Sequence, residues 1–501
     1  MKEGGEILRI DLLLAIVLLV VALTNASDGA LFDYSRQFYE EITSKTIVYD
    51  LNSSSLDFDR VVVIGDLNLN KPLYNTIKIT NSIIKGNISC EGKTVADDVN
   101  FENTSFIGNA YLNDTKFLGP ANFNNSRFYG LAKFNTSRFT DGATFDFASF
   151  GQNADYANSW FDKFGTFYNA TFYGDVQFTL SEFNGAYTNF ESSSFYGDAD
   201  FSGDQFGAYA TFDNSVYRKN ADFHGTKFSN GASFYGSTFY DTANFMRSHF
   251  IEDLLFSYAY FNRSALFLNA KFDGPVSFNQ STFCSNANFD NALFQAPADM
   301  SSARFEGDLS MNSAKISKMV LDDSVFNESS RLFLGKADIN GLMVSWSLIR
   351  DKLSFDSSAY PSLVKNYKDL GQSNDANDCY YEYRYLNQGR KPIGVSKFLD
   401  VVAWLSCGYG VRPHYTLLLG FFVILIFAFI LGAGRCIVGS TELHGWHLAL
   451  DSLYFSAIAF TANSKGLPIK GHYKYLGIVE GIIGWLLMAL FLVTLGRLII
   501  G

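Results

Sequence analysis

The sequence predicts a mostly β protein: a solenoid whose chain turns a corner every five or six residues, followed by an α-helical membrane module. Three observations carry that expectation. A ladder, nearly all phenylalanine, recurs at alternating steps of five and six through Phe101, Phe106, Leu112, Phe117, Phe123 and Phe128 to Phe183, slips by one residue across Asn184 to Asn189, and resumes at Phe190, running on to Phe305, Met311 and Ile316. The residue two before each of these positions is nearly always small. The last 90 residues are instead rich in Leu, Ile and Gly.

The ladder has 40 positions, of which 34 are Phe. Neither a 3.6-residue helix nor a strand of period two produces such a step, so each unit is one side of a coil. At 34 of the 40 places the residue two before is Ala, Ser, Thr or Gly, as in Ala121, Ser126, Ala132, Ser137, Ala143 and Ala148. Both side chains point into one narrow interior, where a second large residue would collide with the ring. The longer step usually carries Gly two residues after the preceding Phe, at Gly108, Gly119, Gly130, Gly174, Gly197, Gly274 and Gly307, where a corner is expected to need positive φ.

Repeats written Ala-Asn-Phe-x-x-Ser-x-Phe, such as Ala121 to Phe128 and Ala243 to Phe250, resemble the Phe-centred pentapeptide-repeat family. The resemblance implies a right-handed quadrilateral β-helix with four sides per coil. Forty positions then make ten coils, about 48 Å of rod at ~4.8 Å per strand. Residues 56 to 95, with Val61, Val63, Leu67, Leu69, Ile77, Ile79, Ile83, Ile84 and Ile88, read as aliphatic first coils of the same solenoid.

Composition and pattern divide the chain into 1–26, a signal peptide or N-terminal anchor; 27–100, a cap and first coils; 101–350, the repeat β-helix; 351–412, a helical linker; and 413–501, a membrane domain. The apolar run Leu12 to Leu23 has the length of a signal-peptide core, although Glu3, Glu6 and Asp11 make its flank poor. Ten Asn-x-Ser/Thr sequons follow the first 26 residues and all precede residue 330, in keeping with an extracytoplasmic rod. Net charge is −11, and between Asp141 and Asp213 eleven acidic residues face one base, Lys163. Acidic rods of the family can resemble duplex DNA; with export expected, a solvated acidic face is the simpler reading and no nucleic acid is expected as partner. Cys90, Cys284, Cys379, Cys407 and Cys436 show no metal or redox spacing and read as isolated buried thiols.

In the linker, residues 374 to 388 read as a helix capped by Asn374 or Ser373 and ended by Gly389. Val395 to Ser406 reads as an interfacial helix with Phe398, Val401, Val402 and Leu405 on one face and Lys397 and Asp400 elsewhere. Gly408-Tyr409-Gly410 reads as a surface turn. Pro413 to Gly434 and Tyr475 to Gly496, the latter holding only Glu480 as a charge, are long enough to span a bilayer, and the shorter Leu448 to Phe460 is expected to dip in and return.

The run Ala449 to Thr461, with Gly477, Gly481, Gly484 and Gly496-Arg497 after it, resembles a two-helix pore-loop potassium channel domain. The resemblance implies a pore loop at Thr461, Ala462, Asn463, Ser464, Lys465 and Gly466, which departs from Thr-(Val/Ile)-Gly-Tyr-Gly at most positions. With the rod outside, two spans put this loop on the cytoplasmic side, opposite to that family. His444, His447 and Glu442 read as an interfacial cluster in preference to a metal site, and Tyr129, Tyr173, Tyr196 and Tyr235 as stacked surface side chains in preference to a sugar strip. No nucleophile motif, phosphate loop, nucleotide fingerprint or metal-ligand cluster is present, so neither an enzyme nor a cofactor is expected. The reading is a cell-membrane protein whose rod binds or spaces, with an unknown protein or surface glycan as partner. The alternative is an ion channel subunit, a homotetramer if the membrane module is a pore.

Overall fold

The computed structural model of the chain describes residues 39–50, 55–69, 71, 73–434, 445–461 and 474–500. It separates into two compact units, Met1–Phe333 and Leu334–Gly501. In the first, one coil is made of four strands of only two residues, for example Ser105–Phe106, Ala110–Tyr111, Lys116–Phe117 and Ala121–Asn122. Each pairs in parallel with its equivalent one coil on, Phe106 with Phe128, Ala110 with Ala132, Phe117 with Phe139 and Ala121 with Ala143. One sheet carries fourteen strands, from Glu40–Thr43 to Val325–Phe326. The solenoid therefore has about fourteen turns and a length of roughly 62 Å at ~4.8 Å per turn.

The interior is a set of aromatic columns. Phe123, Phe145 and Phe167 stack at 4.9 Å with nearly parallel rings, and neighbouring columns meet edge-on, as Phe134 does with Phe145 at 5.3 Å and 81°. Both geometries suit the ring quadrupole. The small inward residues are buried as expected, and the serines and threonines among them do more than fit. Ser126 Oγ donates to Phe101 O at 2.7 Å, Ser137 Oγ to Leu112 O at 2.6 Å and Ser159 Oγ to Phe134 O at 2.7 Å, so each hydroxyl ties its coil to a carbonyl of the preceding one. The aliphatic coils before Phe101 are also buried, Val63, Leu67, Ile79, Ile84 and Ile88 completely, whereas Ile83 is only half-buried.

The corners differ from expectation. Gly108, Gly130, Gly174 and Gly197 in the six-residue steps do not have positive φ. A Cβ on Gly130 would lie 2.5 Å from Gly108 O, and one on Gly174 2.5 Å from Gln152 C. Close approach of successive backbones, and not left-handed geometry, demands glycine there. Apart from Gly142 and Gly231, positive φ along the ring ladder falls instead in the five-residue steps, two residues past the ladder ring, at Asn103, Asp114, Asn125, Asn158, Asn169 and Asn214 among others. Asn and Asp tolerate that conformation better than other side chains.

The one-residue slip is absorbed at a corner. Phe164–Thr166 pairs with Tyr187–Asn189, and the column continues with Phe167 on Phe190 at 4.7 Å and 1°. At the N-terminal end, Glu40–Thr43 pairs with Val61–Ile64, and the helix Ser44–Asp50 buries Ile47. A helix laid over an open sheet end blocks edge-to-edge association.

In the second unit the helix Ala359–Asp369 is pinned to the strand Leu342–Met343 by buried Asn366, whose Oδ1 accepts from Leu342 N–H at 2.9 Å while its Nδ2 donates to Leu342 O at 2.8 Å. The next helix runs Ser373–Arg390, so Gly389 lies inside it, and Gln372 is the N-cap where Asn374 or Ser373 was expected. Val395–Cys407 exposes Val395, Phe398, Leu399, Val402 and Leu405 along one stripe, the face expected of an interfacial helix. Asp400, expected off the apolar face, is buried and paired with Arg384 Nη2 at 2.8 Å and with Lys391. The hydrogen bonds from Lys391 and then Arg384 hold its carboxyl below the usual carboxylate range. Gly408-Tyr409-Gly410 is a tight turn with positive φ at all three residues. Cys90, Cys379 and Cys407 are buried free thiols, Cys284 is only half-buried, and Cys436 lies outside the described residues.

Asp204 departs from the solvated acidic face expected for its region. It sits two residues before Phe206, where the neighbouring coils have Ser181 and Thr226, and it is fully buried. Oδ1 accepts from Ser181 N–H at 2.8 Å, whereas Oδ2 has no partner among the described residues. Burial pushes the carboxyl well above the usual carboxylate range. The folded state therefore holds the proton more tightly than the unfolded chain, whose carboxyl titrates near ~3.9. Its stabilising contribution is present below that pH and is lost as pH rises through the folded value. We expect Asp204→Asn to flatten the fall in solenoid stability above pH ~4 and to stabilise the rod by roughly 2 kcal/mol near neutrality. Denaturant melts of both proteins across pH check this; parallel curves would refute it.

Candidate functional site

The membrane module is built from three helices, Pro413–Ala433, Trp446–Phe460 and Lys474–Ile500. The first and third are long and apolar enough to cross a membrane. The short helix of 15 residues extends ~22 Å, less than a bilayer core. Small residues let it enter between the other two. A Cβ on Gly432 would meet Ser452 Oγ at 3.0 Å, one on Gly420 would meet the Phe460 ring at 3.2 Å, and one on Gly484 would lie 2.0 Å from Phe460 O. Such contacts are what close helix packing in lipid requires. They also give direction: the short helix runs antiparallel to the first span, and its end at Phe460 stops level with Gly420.

Halfway along this contact lies a buried polar pair. Ser456 and Glu480 are both fully buried, with Ser456 Oγ in hydrogen-bond contact with Glu480 Oε1 and 2.8 Å from Ile424 O. One serine hydroxyl has one proton for two acceptors. If Ile424 O receives it, a carboxylic acid at Glu480 supplies the second proton, and all three helices are joined through one chain of bonds. Glu480 Oε2 has no partner among the described residues. The charge of Glu480 was visible in the sequence; its partner was not, because Ser456 is one of several serines with no pattern to single it out.

Of the filter-like segment, Thr461 is described: it follows the short helix, is exposed, and donates from Oγ1 to Ile458 O at 2.9 Å. Ala462, Asn463, Ser464, Lys465 and Gly466 lie outside the described residues, as do Glu442, His444 and the apolar run Leu12 to Leu23. Among the described residues no group of three or more His, Cys, Asp or Glu side chains is placed to hold a metal ion.

The surface tyrosines do not form one strip. Tyr129, Tyr173 and Tyr196 follow residues that pair in one sheet, while Tyr235 follows Phe234, a ladder residue of a different column, and its ring packs near Tyr258. Tyr173 and Tyr196 stack at 5.1 Å, and Arg218 lies between Tyr196 and Tyr240 at 6.0 and 4.4 Å from their ring centres. Sequence spacing alone missed Arg218 as a rung of this ladder, because a guanidinium has the shape of a ring without its apolar signature.

Residues 101–149, 167–216, 218–259 and 256–304 match the family described as pentapeptide repeats, in nine copies. No curated protein matches the chain, and no solved structure does. The repeat reading is thus supported from outside the chain, and the solenoid is a structural fold.

The buried pair carries its own test. Glu480→Gln keeps the shape and can donate to Ser456 Oγ, so the purified protein should keep its thermal transition in detergent to within about 1 kcal/mol, whereas Glu480→Lys should cost roughly 3 kcal/mol or more by placing an unpaired charge in the bundle. Thermal aggregation assays of the two variants check this, and equal behaviour would remove the pair from the list of structural determinants.

Proposed function

We propose that the pentapeptide-repeat solenoid is a rigid binding or spacing rod held at the cell membrane by the C-terminal helices, with the rod on the extracytoplasmic side. The observation that carries anchoring is the pair of apolar helices Pro413–Ala433 and Tyr475–Arg497, preceded by a helix whose exposed stripe of Val395, Phe398, Leu399, Val402 and Leu405 matches an interface. Arg497, at the far end of the last span, lies 5.3 Å from the Tyr380 ring, so the last span ends on the side where the first begins. Sidedness is supported by the sequons confined to the first 330 residues. Protease added to intact cells should remove the repeat region and leave the last 90 residues protected. A rod that survives until lysis, although cleaved when purified, is cytoplasmic.

A second reading, an ion pore, is favoured by one observation: the short helix descends between two spans and stops part-way, with Thr461 at its end. One copy of two spans cannot enclose an aqueous path, so this reading requires assembly, as a homotetramer in the pore-loop arrangement. Four copies of Lys465 near a common axis would oppose cations, and Lys465→Asp should raise cation current in a reconstituted bilayer. A protein that runs as a monomer in mild detergent and passes no current with either residue is an anchor only.

A further inference from the structure

The outer column of Tyr129, Gly151, Tyr173, Tyr196, Arg218 and Tyr240 contains two equivalent steps that differ in one respect. Successive members belong to successive coils, joined by Gly151 N–H to Phe128 O at 2.7 Å, Tyr173 N–H to Phe150 O at 2.9 Å, Tyr196 N–H to Phe172 O at 2.8 Å, Arg218 N–H to Phe195 O at 2.8 Å and Tyr240 N–H to Tyr217 O at 2.8 Å. In the upper step two tyrosines stand two coils apart, and the intervening residue, Arg218, sends its guanidinium between them. In the lower step Tyr129 and Tyr173 also stand two coils apart, about 9.6 Å along the rod. The intervening residue there is Gly151, which supplies nothing.

Glycine at this place is not demanded by the backbone. Gly151 has no positive φ, and a Cβ on it would meet nothing closer than Phe128 O at 3.3 Å. Gly130 and Gly174, one residue further along their own coils, are by contrast locked against the preceding backbone at 2.5 Å. The flanking rings remain accessible, Tyr129 being 51% and Tyr173 45% exposed. A flat group placed midway would lie ~4.8 Å from each ring, within the range of offset stacking and of cation–π contact.

We propose that the Tyr129–Gly151–Tyr173 step is a binding slot for a planar cation, the guanidinium of an arginine on a partner polypeptide. The upper step shows which flat group this column accepts, since the chain fills it with a guanidinium of its own. Charge favours the same occupant: eleven acidic residues against one base lie between Asp141 and Asp213, and of the eleven only Asp204 is fully buried. Three bases lie around the lower wall, Arg127 beside Tyr129 and Lys133 and Arg138 between Tyr129 and Gly151, with Arg138 paired to Asp162, so a partner arginine approaches from the acidic coils beyond. The slot specifies a contact for the binding role of the rod and rests on that reading. Sidedness is tested by protease and the slot by titration, so either can fail alone.

The test uses full-length protein in nanodiscs, labelled with 3-fluorotyrosine, with the signals of Tyr129 and Tyr173 assigned through Tyr129→Phe and Tyr173→Phe. N-acetyl-arginine amide should move both signals and bind about fivefold more tightly than N-acetyl-lysine amide, whose ammonium is not planar. Gly151→Arg should abolish the response by filling the slot from within, and Tyr129→Ala should weaken it about fivefold by removing one wall. Unchanged thermal transitions confirm that both variants are folded; if Gly151→Arg is not, Tyr129→Ala decides. Equal binding of the two amides, a response only to methyl glucoside or p-cresol, or no response at either tyrosine overturns the proposal.

Discussion

Everything in the rod depends on one distance: the spacing of ~4.8 Å between hydrogen-bonded strands, which is also a comfortable spacing for stacked rings. Because each coil closes in about 22 residues, every side chain finds its equivalent directly above, as Phe106 does in Phe128. The interior then favours one large and one small residue per side, and at corners such as Gly130 and Gly174 the backbones pass too closely for a Cβ. Ser126, Ser137 and Ser159 use the same closeness, each bonding a carbonyl of the coil before. Size, polarity and glycine placement follow from one repeat distance.

Much of this was legible in the chain, because a repeat prints the same physical demand many times. The ring ladder, the small inward partner and the aliphatic first coils could all be read from spacing. The corner glycines were found for an incorrect reason: a sequence marks that Cβ is not tolerated but not whether φ or a neighbour forbids it. The φ-positive corners were missed since Asn, Asp and Ser also populate ordinary loops, and Thr136, Phe147 and Leu180 occupy the same position by force of the fold. Asp204 was legible in retrospect, as an acid at a ladder place reserved for small residues.

In the membrane module legibility ended sooner. Lengths and apolarity of the two spans survive in the structure, and so does the short helix between them, because those are one-dimensional properties. The contacts that organise the bundle are not. Gly420, Gly432 and Gly484 each meet a specific part of the short helix, and Ser456 meets Glu480 across 24 residues. Asp400 could be placed off the apolar face but not paired, because a helical wheel has no knowledge of Arg384 and Lys391 arriving from elsewhere. A charge in an amphipathic stretch is read as exposed until its partner is known.

The two units use polar groups in opposite ways. In the rod, Ser126, Ser137 and Ser159 each bond a carbonyl, whereas Asp204 Oδ2 and the Tyr156 hydroxyl are buried without a partner among the described residues. In the bundle, the Ser456–Glu480 contact and the glycine approaches join the three helices. A rod of stacked coils needs no such specific contact, so its exterior is free to vary. The inner rings repeat with few changes, while the outer column passes from Tyr129 through Gly151 and Arg218 to Tyr240. The inside of the fold is fixed by one distance, and the outside is where equivalent places in one column carry no side chain at Gly151 and a guanidinium at Arg218.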